Sequence, residues 1–213
     1  MPTLLPKIYP ILDSSFLPTT GRSEFLRTLG KSLTDAGVTL LEYRNKTGAD
    51  AELLSDAEIL RAACPVGKVK LILDDRTDLV DQIGFDGAHV DGGDASPAEA
   101  RALLGPDRIV GTFGGSEALL PGILKEPADY FSIGPVYPTV TKQTSTAPIG
   151  LEGVRRLRAE AGPNAVLVAV GGITLDRAVA ALDAGASILA VAGAIFRKDD
   201  PAAEFRKWVT LLG

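Results

Sequence analysis

Short runs of Val, Ile, Leu and aromatic residues alternate along the chain with longer stretches rich in Ala, Leu, Glu and Arg. This alternation is what βα units feeding a parallel sheet produce. The candidate strands are KIYPILD (7–13), LLEYRN (40–45), KLILDD (70–75), GAHV (87–90), RIVGTF (108–113), YFSIGP (130–135), AVLVAVGG (165–172) and SILAVAG (187–193). Between them, helices are expected over 22–36, 50–63, 76–83, 97–104, 116–126, 150–161, 175–184 and 200–211, several with Ser, Thr or Asp near the start. The strands are near-continuous apolar runs, as expected where helices cover the outer face of a sheet and packed side chains fill its middle. About eight such units suit a TIM barrel, and no glycine-rich loop follows the first strand as a dinucleotide fold would need. An open doubly wound sheet is the alternative; the expected fold is a single-domain (β/α)8 TIM barrel over residues 1–213. One connection is long: PVYPTVTKQTSTAPIG (135–150) has no periodicity and reads as an exposed loop after the sixth strand, a candidate lid.

Composition narrows the function. The chain has 213 residues, 46% hydrophobic and 23% charged, which excludes disordered and collagen-like classes. Its 22 Lys and Arg against 27 Asp and Glu give a net charge of −5, so nucleic acid is not an expected partner. Any bound phosphate must be held by local cations and backbone amides. A single cysteine, Cys64, excludes an internal disulfide and a Cys-rich zinc site. The start, MPTLLPKIYPILD, lacks the pattern of a secretory signal, and runs such as AVLVAV (165–170) fall short of the roughly 20 residues that span a bilayer. A cytoplasmic protein with small-molecule partners and no membrane contact is expected, a homo-oligomer being possible.

In a barrel, the C-terminal strand ends line the active face. Polar residues cluster there: Glu42, Arg44 and Lys46 after the second strand, Asp74 and Asp75 after the third, His89, Asp91 and Asp94 after the fourth, and Thr139, Thr141 and Lys142 in the long loop. Oxygen-only ligands on successive strand ends suit Mg²⁺; helix capping is the competing duty for Asp74, Asp75 and Asp94. Adjacent carboxylates at Asp74 and Asp75 repel unless a cation or proton compensates. Arg44 and Lys46 flank Asn45 and share a face of an extended strand, an arrangement for gripping one anion, with Lys142 able to join them. A solvated charged pair is the plainer alternative. The turn AVGGIT (169–174), with Gly171 and Gly172, and AVAGAI (190–195), with Ala192 and Gly193, read as a phosphate cradle in the loops after strands seven and eight, or as tight turns. His89, the only histidine, is either a hydrogen-bonded core or rim residue or a base.

Taken in order, EYRNK (42–46), DDRTDL (74–79), HVDGGD (89–94), GPVYPTVTK (134–142) and VGGI (170–173) resemble the motifs of the thiamin phosphate synthase family. The resemblance implies Mg²⁺-dependent joining of hydroxymethylpyrimidine diphosphate to a thiazole phosphate, releasing pyrophosphate. It implies Asp75 and Asp94 as Mg²⁺ ligands and Arg44, Lys46 and Lys142 as the catalytic grip on the diphosphate. Thr139, Thr141, Gly172, Ala192 and Gly193 would contact the thiazole phosphate. Four positions depart from the family pattern: Glu42 replaces Gln, Asp74 replaces Asn, Asp91 replaces Gly, and Phe113 stands where a pyrimidine-contacting Ser is usual. Thr112 would reach that place only by a one-residue shift that turns it to the other face. There are two alternatives: an isomerase similar to the thiazole tautomerase branch, or a non-catalytic barrel that binds a thiazole or thiamin phosphate.

Overall fold

The computed structural model describes residues 5–46, 48–115, 120–139, 141 and 146–213. Along these the elements are β1 (Ile8–Asp13), α1 (Arg22–Asp35), β2 (Leu40–Arg44), α2 (Asp50–Ala63), β3 (Lys70–Asp74), β4 (Gly87–Val90), α3 (Pro97–Leu104), β5 (Ile109–Gly115), α4 (Leu120–Ile123), β6 (Tyr130–Ile133), α5 (Gly150–Ala161), β7 (Leu167–Val170), α6 (Ala178–Asp183), β8 (Ile188–Val191), α7 (Gly193–Phe196) and α8 (Pro201–Leu212). Every strand runs parallel to the next, and β8 pairs with β1, closing the expected TIM barrel. No described helix is long and apolar enough to cross a membrane.

Strand alternation sorts the side chains into two cores. Tyr9, Ile11, Leu40, Ile72, Ile109, Tyr130, Val168, Ile188 and Ala190 fill the barrel interior. Their neighbours, among them Leu12, Leu41, Tyr43, Leu71, Leu73 and Leu189, pack outward against the helices. Following the inward register of β2 upward, Leu40 gives way to Glu42 and then Arg44, so the apolar interior ends partway up and a polar layer sits above it.

The helices differ from expectation in four places. Residues 76–83 form no α-helix, only a 3-10 turn at Thr77–Leu79. The left-handed backbone at Asp75 (φ 71°) and Gly84 (φ 65°) interrupts the chain at both ends of that segment, and the Phe85 N–H turns back to the Val80 carbonyl. The segment 175–184 begins as a 3-10 turn, Leu175–Arg177, before α6. Part of the expected helix 116–126 lies outside the described residues, and within the described part the helix is the single turn of α4. The short α7 directly after β8 adds a helix with no counterpart in the sequence pattern, because GAIF carries no helical periodicity of its own.

Gly111 on β5 is fixed by space. A Cβ there would overlap the Tyr130 ring, which crosses the interior in front of it. Gly111→Ala should therefore cost stability by about 1–3 kcal/mol, the usual range for overpacking a core, and displace Tyr130. Denaturant unfolding that shows no change in midpoint would contradict this packing.

Candidate active site

The mouth of the barrel at the C-terminal strand ends opens into a cavity of about 620 Å³. Of the residues selected from sequence, Glu42, Arg44, Asp74, His89, Asp91, Phe113, Thr139, Thr141, Gly171, Gly172, Ala192 and Gly193 line it. Lys46, Asp75 and Asp94 do not line it. Lys142 lies outside the described residues. Sequence reasoning missed Tyr9, Asp13, Ser132, Arg177 and Arg197, which also line the cavity. Asp13 ends the first strand as Asp74 ends the third, and that position was the available signal.

At the β1–β3 side, charges of opposite sign alternate across the strand ends. Arg44 pairs with Asp13 through Nη1 and lies 3.2 Å from Asp74 through Nε. Lys46 lies 3.3 Å from Asp74 and pairs with Asp75. Two cations thus hold three carboxylates, which answers the repulsion expected between adjacent aspartates. Parallel register sets these contacts: Asp13 is opposite Arg44, and Asp74 opposite His89.

Capping does not explain Asp74, Asp75 or Asp94. The N-cap of α3 is Ser96, locked with Glu99 in a capping box, and the 3-10 turn after β3 has no side-chain cap. Asp94 instead accepts the Asp91 N–H on Oδ2 at 3.1 Å. Asp75 holds a left-handed backbone uncommon outside glycine, its N–H donating to the His89 carbonyl at 2.8 Å. Its Oδ1 is buried and accepts no hydrogen bond among the described residues. An oxygen of that kind suits a hard cation. Among the described residues no three His, Cys, Asp or Glu side chains converge as a cage. An ion here would accordingly take one or two carboxylates and complete its shell with water and substrate oxygens, the usual way Mg²⁺ is held.

Below the charges lies a hydrogen-bonded floor. Glu42, 3% exposed, hydrogen-bonds Tyr9, which in turn bonds Tyr130. His89 Nδ1 and Tyr130 Oη are 3.2 Å apart, and their rings stack at 5.6 Å. His89 is thus a hydrogen-bonded residue of the cavity wall. Burial comes first in pushing both phenols well above their ordinary value; Tyr130 and Glu42 add to it at Tyr9, and the Glu42 charge adds to it at Tyr130, where the hydrogen bond with Tyr9 works the other way. Phe113 faces the cavity in register with Ser132 of β6, whereas Thr112 turns outward and donates to the Val90 carbonyl at 3.1 Å.

Opposite the charges, the loops after β6, β7 and β8 meet. Gly172 (φ 64°) packs so closely on Tyr137 and Pro138 that a Cβ would strike both. The backbone there demands glycine. Thr141 reaches the start of α7, where a Cβ on Gly193 would lie 3.1 Å from its Oγ1. Hydroxyls, cations and the first amides of α7 therefore share one concave end, a setting suited to phosphate.

The family model described as thiamine monophosphate synthase matches residues 8–195. A thiamine-phosphate synthase of Koribacter versatilis is 39% identical over 187 residues, covering 88% of this chain and 87% of that protein. One of Agrobacterium fabrum is 38% identical over 164 residues, covering 76% and 74%. The solved structure of a thiamine phosphate pyrophosphorylase from Pyrococcus furiosus superposes with a TM-score of 0.80 at 26% identity, covering 97% of each chain.

The buried phenols give a check on the interior. Tyr9, Tyr43 and Tyr130 are three of the four tyrosines, and burial raises each above 10.0. Phenolate absorbance of the folded protein should show these three un-ionised through pH 10 and released only on unfolding. The unfolded chain then sheds protons that the folded chain keeps, so stability should fall as pH rises above about 10. Ordinary titration of all four in the folded state would refute the sealed floor.

Proposed function

This chain belongs to the thiamine monophosphate synthase family, and we propose on that premise that its cavity joins hydroxymethylpyrimidine diphosphate to a thiazole phosphate, giving thiamin phosphate and pyrophosphate. The observation that supports the reading is one cavity with cationic side chains at both ends, Arg44 at one and Arg177 and Arg197 at the other, and an apolar and hydroxyl-lined middle between them. Arg44 serves the diphosphate end, with Lys46 beside it on the rim. Thr139, Thr141 and the glycine-rich turns after β7 and β8 serve the phosphate end.

Chemically, the C–O bond to the diphosphate breaks and its electron pair leaves with the diphosphate oxygen. The lone pair of the thiazole nitrogen then forms the new C–N bond at the pyrimidine methylene. Negative charge grows on the leaving group, where fixed cations stabilise it. Positive charge spreads into the pyrimidine ring, above the buried Glu42 and the Tyr9 and Tyr130 hydroxyls. No proton is abstracted from carbon, so His89 needs no role as a base. Mg²⁺, held by Asp75 and Asp94, would neutralise diphosphate charge when bound. The orphaned Asp75 Oδ1 supports that assignment. On the pyrimidine wall Phe113 supplies a ring face, and Ser132, directly across from it, supplies a hydroxyl.

The deciding experiment gives purified protein both phosphorylated substrates, with and without Mg²⁺, and follows thiamin phosphate and pyrophosphate. Metal-dependent appearance of both is expected. A folded protein that binds the thiazole phosphate without turnover would instead favour a ligand-binding barrel, and metal-independent proton shifts in the thiazole would favour an isomerase.

Two substitutions refine the roles. Asp75→Asn, which tolerates the left-handed backbone, should lower metal-dependent turnover on the order of a hundredfold while leaving the unfolding midpoint close to the parent. Unchanged turnover would remove Asp75 from the metal site. Phe113→Ser should lower KM for the pyrimidine diphosphate; a higher KM would mean that the phenyl ring itself recognises the base.

A further inference from the structure

Two guanidinium groups at the phosphate end have no task in the proposed reaction. Arg177, half-buried, donates through Nη1 to the Gly172 carbonyl at 3.0 Å and lies 4.5 Å over the Tyr137 ring. Arg197 follows α7, with its guanidinium 5.5 Å from the centre of the Phe16 ring. Both line the cavity, and among the described residues neither forms an ion pair. Six other arginines behave otherwise: Arg22, Arg61, Arg76, Arg101 and Arg108 each hold a carboxylate, and so does Arg44 within the site. A planar cation held against aromatic faces, with its remaining donors unclaimed by carboxylates, is ready for an oxyanion.

The geometry also fixes where that anion would sit. A Cβ on Gly193 would be 3.1 Å from Thr141 Oγ1 and 3.4 Å from Arg197 Nε, so hydroxyl, guanidinium and the first turn of α7 converge on one place. Arg177 acts differently. By bonding Gly172 and covering Tyr137 it ties the turn after β7 to the loop that carries Thr139 and Thr141.

We propose that Arg197 is a direct ligand of the substrate's phosphomonoester and that Arg177 is a positioning residue for the loop facing it. Together they make this end of the cavity select a dianionic phosphate ester over the corresponding uncharged alcohol. The identity of the ester rests on the function proposed for the cavity; its charge does not.

The test compares the parent with Arg197→Ala, Arg197→Lys and Arg177→Gln. Calorimetry uses inorganic phosphate and thiamin phosphate, and kinetics use the thiazole phosphate and its dephosphorylated alcohol. Arg197→Ala should weaken phosphate and thiamin phosphate binding by about ten- to a hundredfold. It should raise KM for the thiazole phosphate more than it lowers kcat, and shrink the preference for the phosphorylated thiazole. Lysine should restore part of the loss. Arg177→Gln keeps a donor for Gly172 but removes the cation from Tyr137, and should raise the same KM by a smaller factor. Phosphate affinity and KM unchanged in Arg197→Ala, with the fold intact, would overturn the proposal. Should the parent make no thiamin phosphate, the function falls, and the phosphate affinities of the parent and Arg197→Ala still decide the role of Arg197.

Discussion

Closing eight parallel strands into a ring leaves one interior, and every inward side chain must either pack there or face its open end. The rest of this structure depends on that constraint. Tyr9, Leu40, Ile72 and Ile109 fill the lower interior, and Tyr130 is admitted only because Gly111 opposite it has no side chain. Over this layer Glu42 and His89 join the Tyr9 and Tyr130 hydroxyls, sealing the floor with hydrogen bonds rather than with apolar contacts. A polar group that is buried without a partner costs far more than one that is paired. The linkage of these four side chains therefore lets the cavity reach deep into the barrel while exposing few unsatisfied atoms.

On the rim the same economy is electrostatic. Asp13, Arg44, Asp74, Lys46 and Asp75 alternate in sign across three strand ends, so each carboxylate has a cation beside it. Cations arranged this way do not collapse onto a single carboxylate, and they remain at the cavity edge where a diphosphate would exchange partners with them. The extra negative charge at Asp74 and Glu42 is absorbed locally, Asp74 by Arg44 and Lys46 and Glu42 by the Tyr9 hydroxyl. Departures from the family pattern that look costly in a linear sequence thus have local partners in the fold.

The two ends of the cavity use different physics. The β1–β3 end relies on side-chain charges whose mutual pairing is part of the resting structure. The β6–β8 end relies on tight backbone packing, at Gly172 against Tyr137 and Pro138, with arginines laid on aromatic faces. A reaction that separates charge between two phosphorylated partners needs both: a polyanion must be stabilised as it departs, and the other partner must be held still.

Much of this was determined by the sequence alone. Eight apolar runs separated by helix formers imply the barrel, and ordered motifs at strand ends imply the family. The period-two geometry of a strand also turns Thr112 away from the cavity without any coordinates. Tertiary structure decided what depends on contacts between distant segments. The failure of 76–83 to form a helix comes from backbone geometry at Asp75 and Gly84, not from composition. The strand end placed Asp13 at the mouth, but its pairing with Arg44, thirty-one positions away, came only from the register of β1 on β2. Likewise Arg177 and Arg197 resemble any surface arginine in sequence, and their place in the cavity emerges only when the loops after β6, β7 and β8 meet. Local propensity and periodicity act within a few residues, whereas ion pairing and cavity shape are properties of the closed ring.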